Sequence, residues 1–570
     1  MRVSIVLLVL ALCPLGYGCA ADQPEPTAAV EGGEIQGSLE ADGEVAVFKG
    51  LPYAAPPVGD LRWKPPQPVK PWEGIRDATR FESICLQGDD DDNDFFGRLI
   101  DGQGMGWLRK VLFKLVVGLS SEQVESEDCL YLNVRTANLG GAEKQPVMVW
   151  IHGGGHQAGS GSTDFYQSNS LALRGVVLVT LNYRLGLIGY FAHPALSAES
   201  KHGVSGNYGT LDQIAALRWV RDNIAAFGGD PSSVTIFGES AGGESVAHMM
   251  TSPLARGLVH RAIMQSASTG ELLIHLDRPV MSFMSAEAAG EAFAKKVVEN
   301  PEDPIEQLRA IPSEDLYSAL RRFPEFDTYS YPIIDGYVLR KSVIEAFLGG
   351  NQMPVPLLVG SNADEGSILY NVGDDALYGQ SPGPETHEAY TKYLRDALGA
   401  DAETVLELYP VTEDATVFDA SAAVYGDSRL GATARFYARQ MAKVGQPAYL
   451  YFFTRVPPSR RQTAGAFHAA EIVFVFGKSV PLFPRDEQDQ TIAQVMGDYW
   501  TQFAKTGDPN AEGLPSWPPF SRADERNMVF GPDIHATAVE RAEAYDIFER
   551  HWMQLIEEIH STLPVSDSRE

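Results

Sequence analysis

Only four of the 570 residues are cysteine, and only 45 are lysine or arginine against 75 aspartate or glutamate. This shortage of cations leaves a formal charge of −30, which repels phosphate backbones and excludes nucleic acid as a partner. Such acidity serves solubility, with weak steering of cationic substrates as the sharper alternative. No stretch reaches the roughly 20 apolar residues that a membrane-spanning helix needs. None of the 13 asparagines sits in an Asn-x-Ser/Thr sequon, a lean towards a bacterial source. What remains is ordinary globular composition, 44 % hydrophobic and 21 % charged, long enough for one large α/β unit with insertions.

The N-terminus carries Arg2, an apolar run from Val3 to Leu12, and small residues through Gly18-Cys19-Ala20. One positive charge, a short apolar core and a small-residue end make residues 1–20 a secretory signal, so the mature chain is expected to be secreted or periplasmic. Cleavage after Ala20 competes with lipid anchoring through Cys19, although Gly16 stands where a lipobox wants leucine. Cys13 and Cys19 belong to the leader, which leaves Cys85 and Cys129 as one pair in an exported chain. A Cys85–Cys129 disulfide is the economical inference. Soft ligands at short spacing are lacking, so no metal site is expected.

Residues 21–32 read as a flexible lead-in and 561–570 as a frayed tail. Between them, short apolar runs alternate with helical patterns such as Thr210 to Asn223. The runs are Val147 to Ile151, Val176 to Leu181, Val234 to Phe237, Pro356 to Val359 and Tyr449 to Phe453, each bounded by Gly, Pro, Asn or Asp. This alternation predicts an α/β fold with a mostly parallel central sheet covered by helices on both faces. One segment breaks the pattern. After the acidic run Asp89 to Asp92, a solvated loop without calcium-site spacing, residues 107–119 place Trp107, Leu108, Val111, Leu112, Leu115, Val116 and Leu119 on one helical face. Arg109, Lys110 and Lys114 fall opposite.

Gly238-Glu239-Ser240-Ala241-Gly242 matches G-x-S-x-G and sits between an apolar strand and a small-residue helical start. Strand, sharp turn and helix together form the nucleophile elbow of α/β-hydrolases. A serine hydroxyl is a weak nucleophile at neutral pH, so it needs a base, an orienting acid and donors for the oxyanion. Another apolar strand ends in His152-Gly153-Gly154-Gly155. The N–H groups of Gly154, Gly155 and Ala241 can point at one oxyanion, though a glycine triplet can equally be just a turn. After the strand at Pro356 to Val359, Asp364 and Glu365 are equally eligible as the acid, and either could merely cap a helix. His387, His468, His535, His551 and His560 follow in the chain order such hydrolases use. Only His468 lies in a loop just past an apolar strand.

Taken together these residues resemble the type-B carboxylesterase family, which includes cholinesterases. The resemblance runs over roughly residues 33–555, through blocks such as Phe48 to Pro57, Ser126 to Asn133, Asn182 to Gly186, Phe227 to Pro231 and Lys505 to Asn510. It implies an α/β-hydrolase domain over 33–560 and a serine carboxylesterase without cofactor. It further implies Ser240 as nucleophile, Glu365 rather than Asp364 as the acid, and His468 as the base. Gly154, Gly155 and Ala241 become the oxyanion donors, and the Cys85–Cys129 pairing follows again. Two departures stand out. Leu119 or a close neighbour occupies the place of the choline-binding tryptophan, which argues against cholinesterase activity. His156 stands after the glycine triplet, where an aromatic residue is usual.

Lipases resembling this family carry a mobile lid in the loop between the two cysteines. Residues 95–119 are therefore expected to form a lid or a lipid-facing patch over the site, lipid contact falling to 107–119; the alternative is a helix packed flat on the body. The expected partner is a small-molecule or lipid ester. The rivals are an interfacial lipase for longer acyl chains and a non-catalytic binding protein, which all three filled triad positions disfavour.

Overall fold

The computed structural model describes residues 24–87, 95–104, 124–268, 274–298, 303–370, 383–459, 461–480 and 484–562. Eleven strands form one sheet. In chain order they are β1 (Ser38–Glu40), β2 (Val45–Pro52), β3 (Tyr131–Thr136), β4 (Gln145–Ile151), β5 (Val177–Leu181), β6 (Gly229–Glu239), β7 (Arg261–Gln265), β8 (Leu357–Asn362), β9 (Ala448–Phe453), β10 (Arg526–Phe530) and β11 (His535–Ala538). Their spatial order is β11-β10-β9-β8-β7-β6-β4-β5-β3-β2-β1. Along the order β5-β4-β6-β7-β8-β9-β10 every adjoining pair is parallel, and antiparallel pairs close both margins.

The apolar runs are unbroken because both faces of the sheet are covered. Val147, Val149 and Ile151 of β4 join one core with Val177, Val179, Val234 and Ile236. The alternate residues Met148 and Trp150 join the other, with Phe237, Ile263 and Leu358. Helices α1 (Tyr208–Asn223), α2 (Ala241–Thr251), α3 (Ala432–Lys443) and α5 (Ala542–Thr562) feed the first core through Leu217, Val246, Phe436 and Trp552. Helix α4 (Glu487–Thr506) packs Met496, Tyr499, Trp500 and Phe503 into the second. Asp486 and Asp489 form a capping box at the start of α4. A buried ion pair fixes the chain after β5 to α1: Arg184 Nε and Nη2 each donate to an Asp212 carboxylate oxygen at 2.7 Å.

Cys85 and Cys129 are joined in a disulfide with their Cα atoms 4.9 Å apart. The lead-in needs correction. Thr27–Val30 is a strand that pairs antiparallel with Gly33–Gln36, and Gly33–Gln36 in turn pairs with Ile75–Asp77. The backbone groups it turns towards Gly33–Gln36 are therefore satisfied by sheet hydrogen bonds. The last helix runs to Thr562, two residues into the expected tail. The leader 1–20, the acidic run and the stretch 107–119 lie outside the described residues. Of the expected lid, Phe95–Gly102 is a helix. It is docked: Leu99 packs into the second core, and Gly102 O accepts from Thr463 N at 2.7 Å. Among the described residues no helix is long and apolar enough to cross a membrane.

Candidate active site

In open parallel sheets, ligands bind beyond the carboxyl ends of the strands, where the strand order reverses direction. That point lies between β4 and β6, since the order leaves β4 towards β5 on one side and β6 towards β7 on the other. Gly238 of β6 pairs with Ile151 of β4. The two strands therefore end level, one in Ser240 and the other in the glycine turn.

Ser240 has φ 56° and ψ −127°, a conformation L-residues rarely adopt, and it directly precedes α2. Its N–H donates to Gln265 O at 2.9 Å. The flanking glycines are needed for contact rather than for dihedral freedom. A Cβ on Gly242 would sit 2.1 Å from Ile151 O, and one on Gly238 would sit 2.5 Å from Gly242 C. The elbow helix thus lies directly on the end of β4. Ser240 is partly exposed while Glu239 and Ala241 on either side are buried.

The glycine turn adopts left-handed backbone at Gly154 (φ 106°), Gly155 (φ 61°) and His156 (φ 58°). Gly154 O accepts from Gln157 N and Ala158 N at 3.0 and 2.9 Å. Gly154 and Gly155 are exposed between buried neighbours, and a Cβ on Gly155 would meet only open space. Gln87, just past the disulfide, holds this loop with a reciprocal pair to Gly159 N and O at 3.0 and 2.9 Å.

The two acids left open by the residues alone take different places. Asp364 Oδ2 accepts from Ala466 N at 2.7 Å, and Asp364 N donates to Ala466 O, so Asp364 ties two loops together through backbone. Glu365 Oε2 lies 2.6 Å from His468 Nδ1. Its other oxygen accepts from Ser266 Oγ at 2.6 Å and Asn362 N at 2.7 Å. The remaining histidines stand apart: His387 and His535 are exposed, and His551 is partly so.

Two further glutamates bear on the same imidazole, one by contact and one by its charge alone, and both escaped the sequence reading. Glu239 Oε1 lies 3.0 Å from His468 Nε2, with both side chains about 5 % exposed or less. Glu471 accepts from Gln265 Nε2 at 2.9 Å and from Asn362 Nδ2 at 2.6 Å. Asn362 also donates to Phe467 O at 2.8 Å, and Trp500 Nε1 donates to Gln265 Oε1 at 3.0 Å. One hydrogen-bonded web thus joins the backbone of Ser240, the loop of His468 and the loop of Glu365. The signal for Glu239 and Glu471 was faint: each is a lone acid beside an apolar run.

Burial alone would hold His468 down, but Glu239 and Glu365 overcome it and raise the imidazole to about 9. Burial, reinforced by Glu471 and Glu365, pushes the Glu239 carboxyl far up against the pull of His468. Burial and Glu365 likewise raise Glu471. Both members of the Glu239–His468 pair are thus shifted towards keeping a proton. Chemically, a strained serine, an exposed glycine turn and a carboxylate-held imidazole at adjoining strand ends suit acyl transfer.

The model of the carboxylesterase family matches residues 24–547. A fumonisin B1 esterase of Sphingopyxis macrogoltabida is 37 % identical over 540 residues, covering 92 % of this chain and 90 % of that protein. The para-nitrobenzyl esterase of Bacillus subtilis (strain 168) is 34 % identical over 520 residues, 88 % of this chain and 94 % of the relative. Carboxylesterase 1C of Mus musculus is 34 % identical over 588 residues, 97 % and 96 % of the two chains. Among solved structures, a PNB esterase aligns with a TM-score of 0.73 at 30 % identity, over 92 % of this chain and 100 % of that one.

Proposed function

The chain belongs to the carboxylesterase family and is a serine carboxylesterase; from that premise we propose that Ser240 is its nucleophile, His468 its general base and Glu365 the acid that orients the imidazole. Ser240 Oγ attacks the ester carbonyl as its proton passes to His468 Nε2. The N–H groups of Gly154, Gly155 and Ala241 receive the oxyanion, and each such donor is worth about 10²–10³ in rate. Collapse of the tetrahedral adduct expels the alcohol, which takes the proton from His468. Water, deprotonated by the same nitrogen, then attacks the acyl-enzyme and a second collapse returns Ser240 and the carboxylic acid. Glu365 keeps Nδ1 protonated and stabilises the imidazolium throughout. The observation that carries the reading is the 2.6 Å contact from Glu365 to His468 Nδ1, with the strained Ser240 two strand ends away.

The decisive experiment is hydrolysis of p-nitrophenyl esters from acetate to palmitate by the wild type and Ser240→Ala. A short-to-medium optimum lost in the variant is expected. Turnover confined to long chains, above their solubility limit, would make the enzyme an interfacial lipase. Turnover that does not depend on Ser240 on any chain would overturn the assignment.

Three features outside the catalytic centre belong to the same reading. The leader 1–20 supports export to an oxidising compartment, in keeping with the Cys85–Cys129 disulfide. The mature protein is then free in the periplasm or medium, or held by a lipid on Cys19; the mass of its N-terminal peptide separates the two. The cationic amphipathic stretch 107–119 supports a lid or contact with a lipid interface, which is dropped if deleting 107–119 changes neither emulsion activity nor access of small esters.

A further inference from the structure

Behind the glycine turn lies a buried cluster of titratable side chains that ester hydrolysis does not itself consume. His156 follows Gly155 directly, and its side chain is 2 % exposed. Its Nε2 faces Glu244 Oε2 at 3.5 Å, and the other carboxylate oxygen lies 4.0 Å from His248 Nε2. The two imidazoles stack with centroids 6.1 Å apart at 25°. The Tyr190 hydroxyl stands 3.5 Å from His156 Nδ1. Neither ring nitrogen of His248 nor Nε2 of His156 has an aligned hydrogen bond among the described residues, so Glu244 meets both rings through its charge. No three such groups among the described residues are set to hold a metal ion.

Its meaning lies in what it joins. Glu244 stands on α2 one turn after the nucleophile, and its own N–H donates to Ser240 O at 2.9 Å. That helix begins with Ala241, one proposed oxyanion donor. His156 belongs to the loop that carries the other two, Gly154 and Gly155. The Glu244 carboxylate therefore spans the seam between the two halves of the hole. Burial alone would raise Glu244, yet contacts with His156, His248 and Ser268 hold it below the usual carboxylate range. Burial keeps His248 down at about 4 in spite of Glu244. The seam is thus closed by an anionic carboxylate between two imidazoles, His248 being neutral. His156, which must hold the strained turn with φ 58°, is the residue it reaches across to.

We propose that Glu244 is a positioning residue for the oxyanion hole: through His156 its carboxylate holds the Gly154–Gly155 turn in register with the N–H of Ala241. The inference rests on the assignment of those three donors made above. A misplacement of about 1 Å in such a constellation costs about 100-fold in rate, so a side chain that fixes the register affects the transition state more than the bound ester.

The test compares Glu244→Gln, His156→Phe and the double variant with the wild type on p-nitrophenyl butyrate. It adds the affinity for a trifluoromethyl ketone, whose Ser240 adduct carries an oxyanion in the hole, and end-point labelling of Ser240 by a fluorophosphonate. Expected is a roughly 10- to 100-fold fall in kcat, KM within about twofold, and an equal loss of ketone affinity. Labelling should go to completion, and the double variant should be no worse than the worse single one. Unchanged kcat and ketone affinity, or a fall in melting temperature alone, would overturn the proposal. Should Glu244→Gln fail to fold, His156→Phe, which fills the same space with an aromatic ring, decides by the same readouts. A wild type whose Ser240 takes no label would instead defeat the nucleophile assignment, and this inference with it.

Discussion

His468 is gripped from both sides of its ring: Nδ1 lies 2.6 Å from Glu365 Oε2, and Nε2 lies 3.0 Å from Glu239 Oε1. The second contact occupies the nitrogen proposed to take the Ser240 proton. A neutral imidazole with its proton on Nδ1 can accept at Nε2 only from a protonated Glu239. With Glu239 ionised, the same contact instead holds a proton on Nε2 and raises the imidazole.

Activity requires Nε2 without a proton of its own, and negative charge nearby makes that proton harder to lose. The acid limb of kcat/KM should thus lie on the alkaline side of an ordinary histidine, in line with the imidazole raised to about 9. Glu239→Gln removes one carboxylate, so the limb should move down by about one unit or more. A pH–rate profile of the two proteins checks this; a limb that stays in place would show that Glu239 does not share the proton.

Asp364 and Glu365 should separate cleanly on mutation. Glu365→Gln leaves the shape but loses the charge that fixes the tautomer, and should lower kcat by about 10⁴ with little change in KM. Asp364→Asn weakens the side-chain bond to Ala466 N and, at an exposed position, should cost about 0.5–1.5 kcal/mol of stability while retaining most activity. Steady-state kinetics beside urea unfolding distinguishes the two.

The contact between the elbow helix and β4 leaves no room for a methyl group. Gly242→Ala places a Cβ 2.1 Å from Ile151 O, backbone against backbone, so the helix must shift. Melting temperature and Ser240-dependent turnover should fall together, turnover by at least about 100-fold. Gly155→Ala, where the Cβ meets open space, should fold better yet strain its left-handed backbone.

The disulfide closes a loop with a sequence separation of 44. Chain entropy then assigns it about 4 kcal/mol. Cys129→Ser should lower the unfolding midpoint accordingly, measured in urea without reductant, and reductant should leave the variant unchanged while destabilising the wild type.

Much of the architecture could be read directly from the sequence. Val147 to Ile151 and Tyr449 to Phe453 are apolar on both faces because both faces are covered, and no other placement suits such runs. The sharp turn at Ser240 was equally legible, since its glycines are local demands of one tight contact. Thr27–Val30 escaped because four half-exposed residues near two prolines carry no strand periodicity; its partner supplies the order. Glu239 and Glu471 escaped for a different reason. Their meaning comes from His468, Gln265 and Asn362, and the contact of Glu239 with His468 spans 229 positions that no spacing rule connects. Asp364 and Glu365 were indistinguishable by type, and only the loop that meets them tells backbone tie from imidazole contact.

The eleven-stranded sheet ends in a three-residue strand on one margin, Ser38–Glu40, and a four-residue strand on the other, His535–Ala538. Each offers only a few unpaired backbone groups, too short a template for another chain to extend. Glu40 further burdens the first margin with a charge held low by Arg135 and Lys49 against the upward pull of burial. So wide a sheet therefore offers a second chain very little edge to extend.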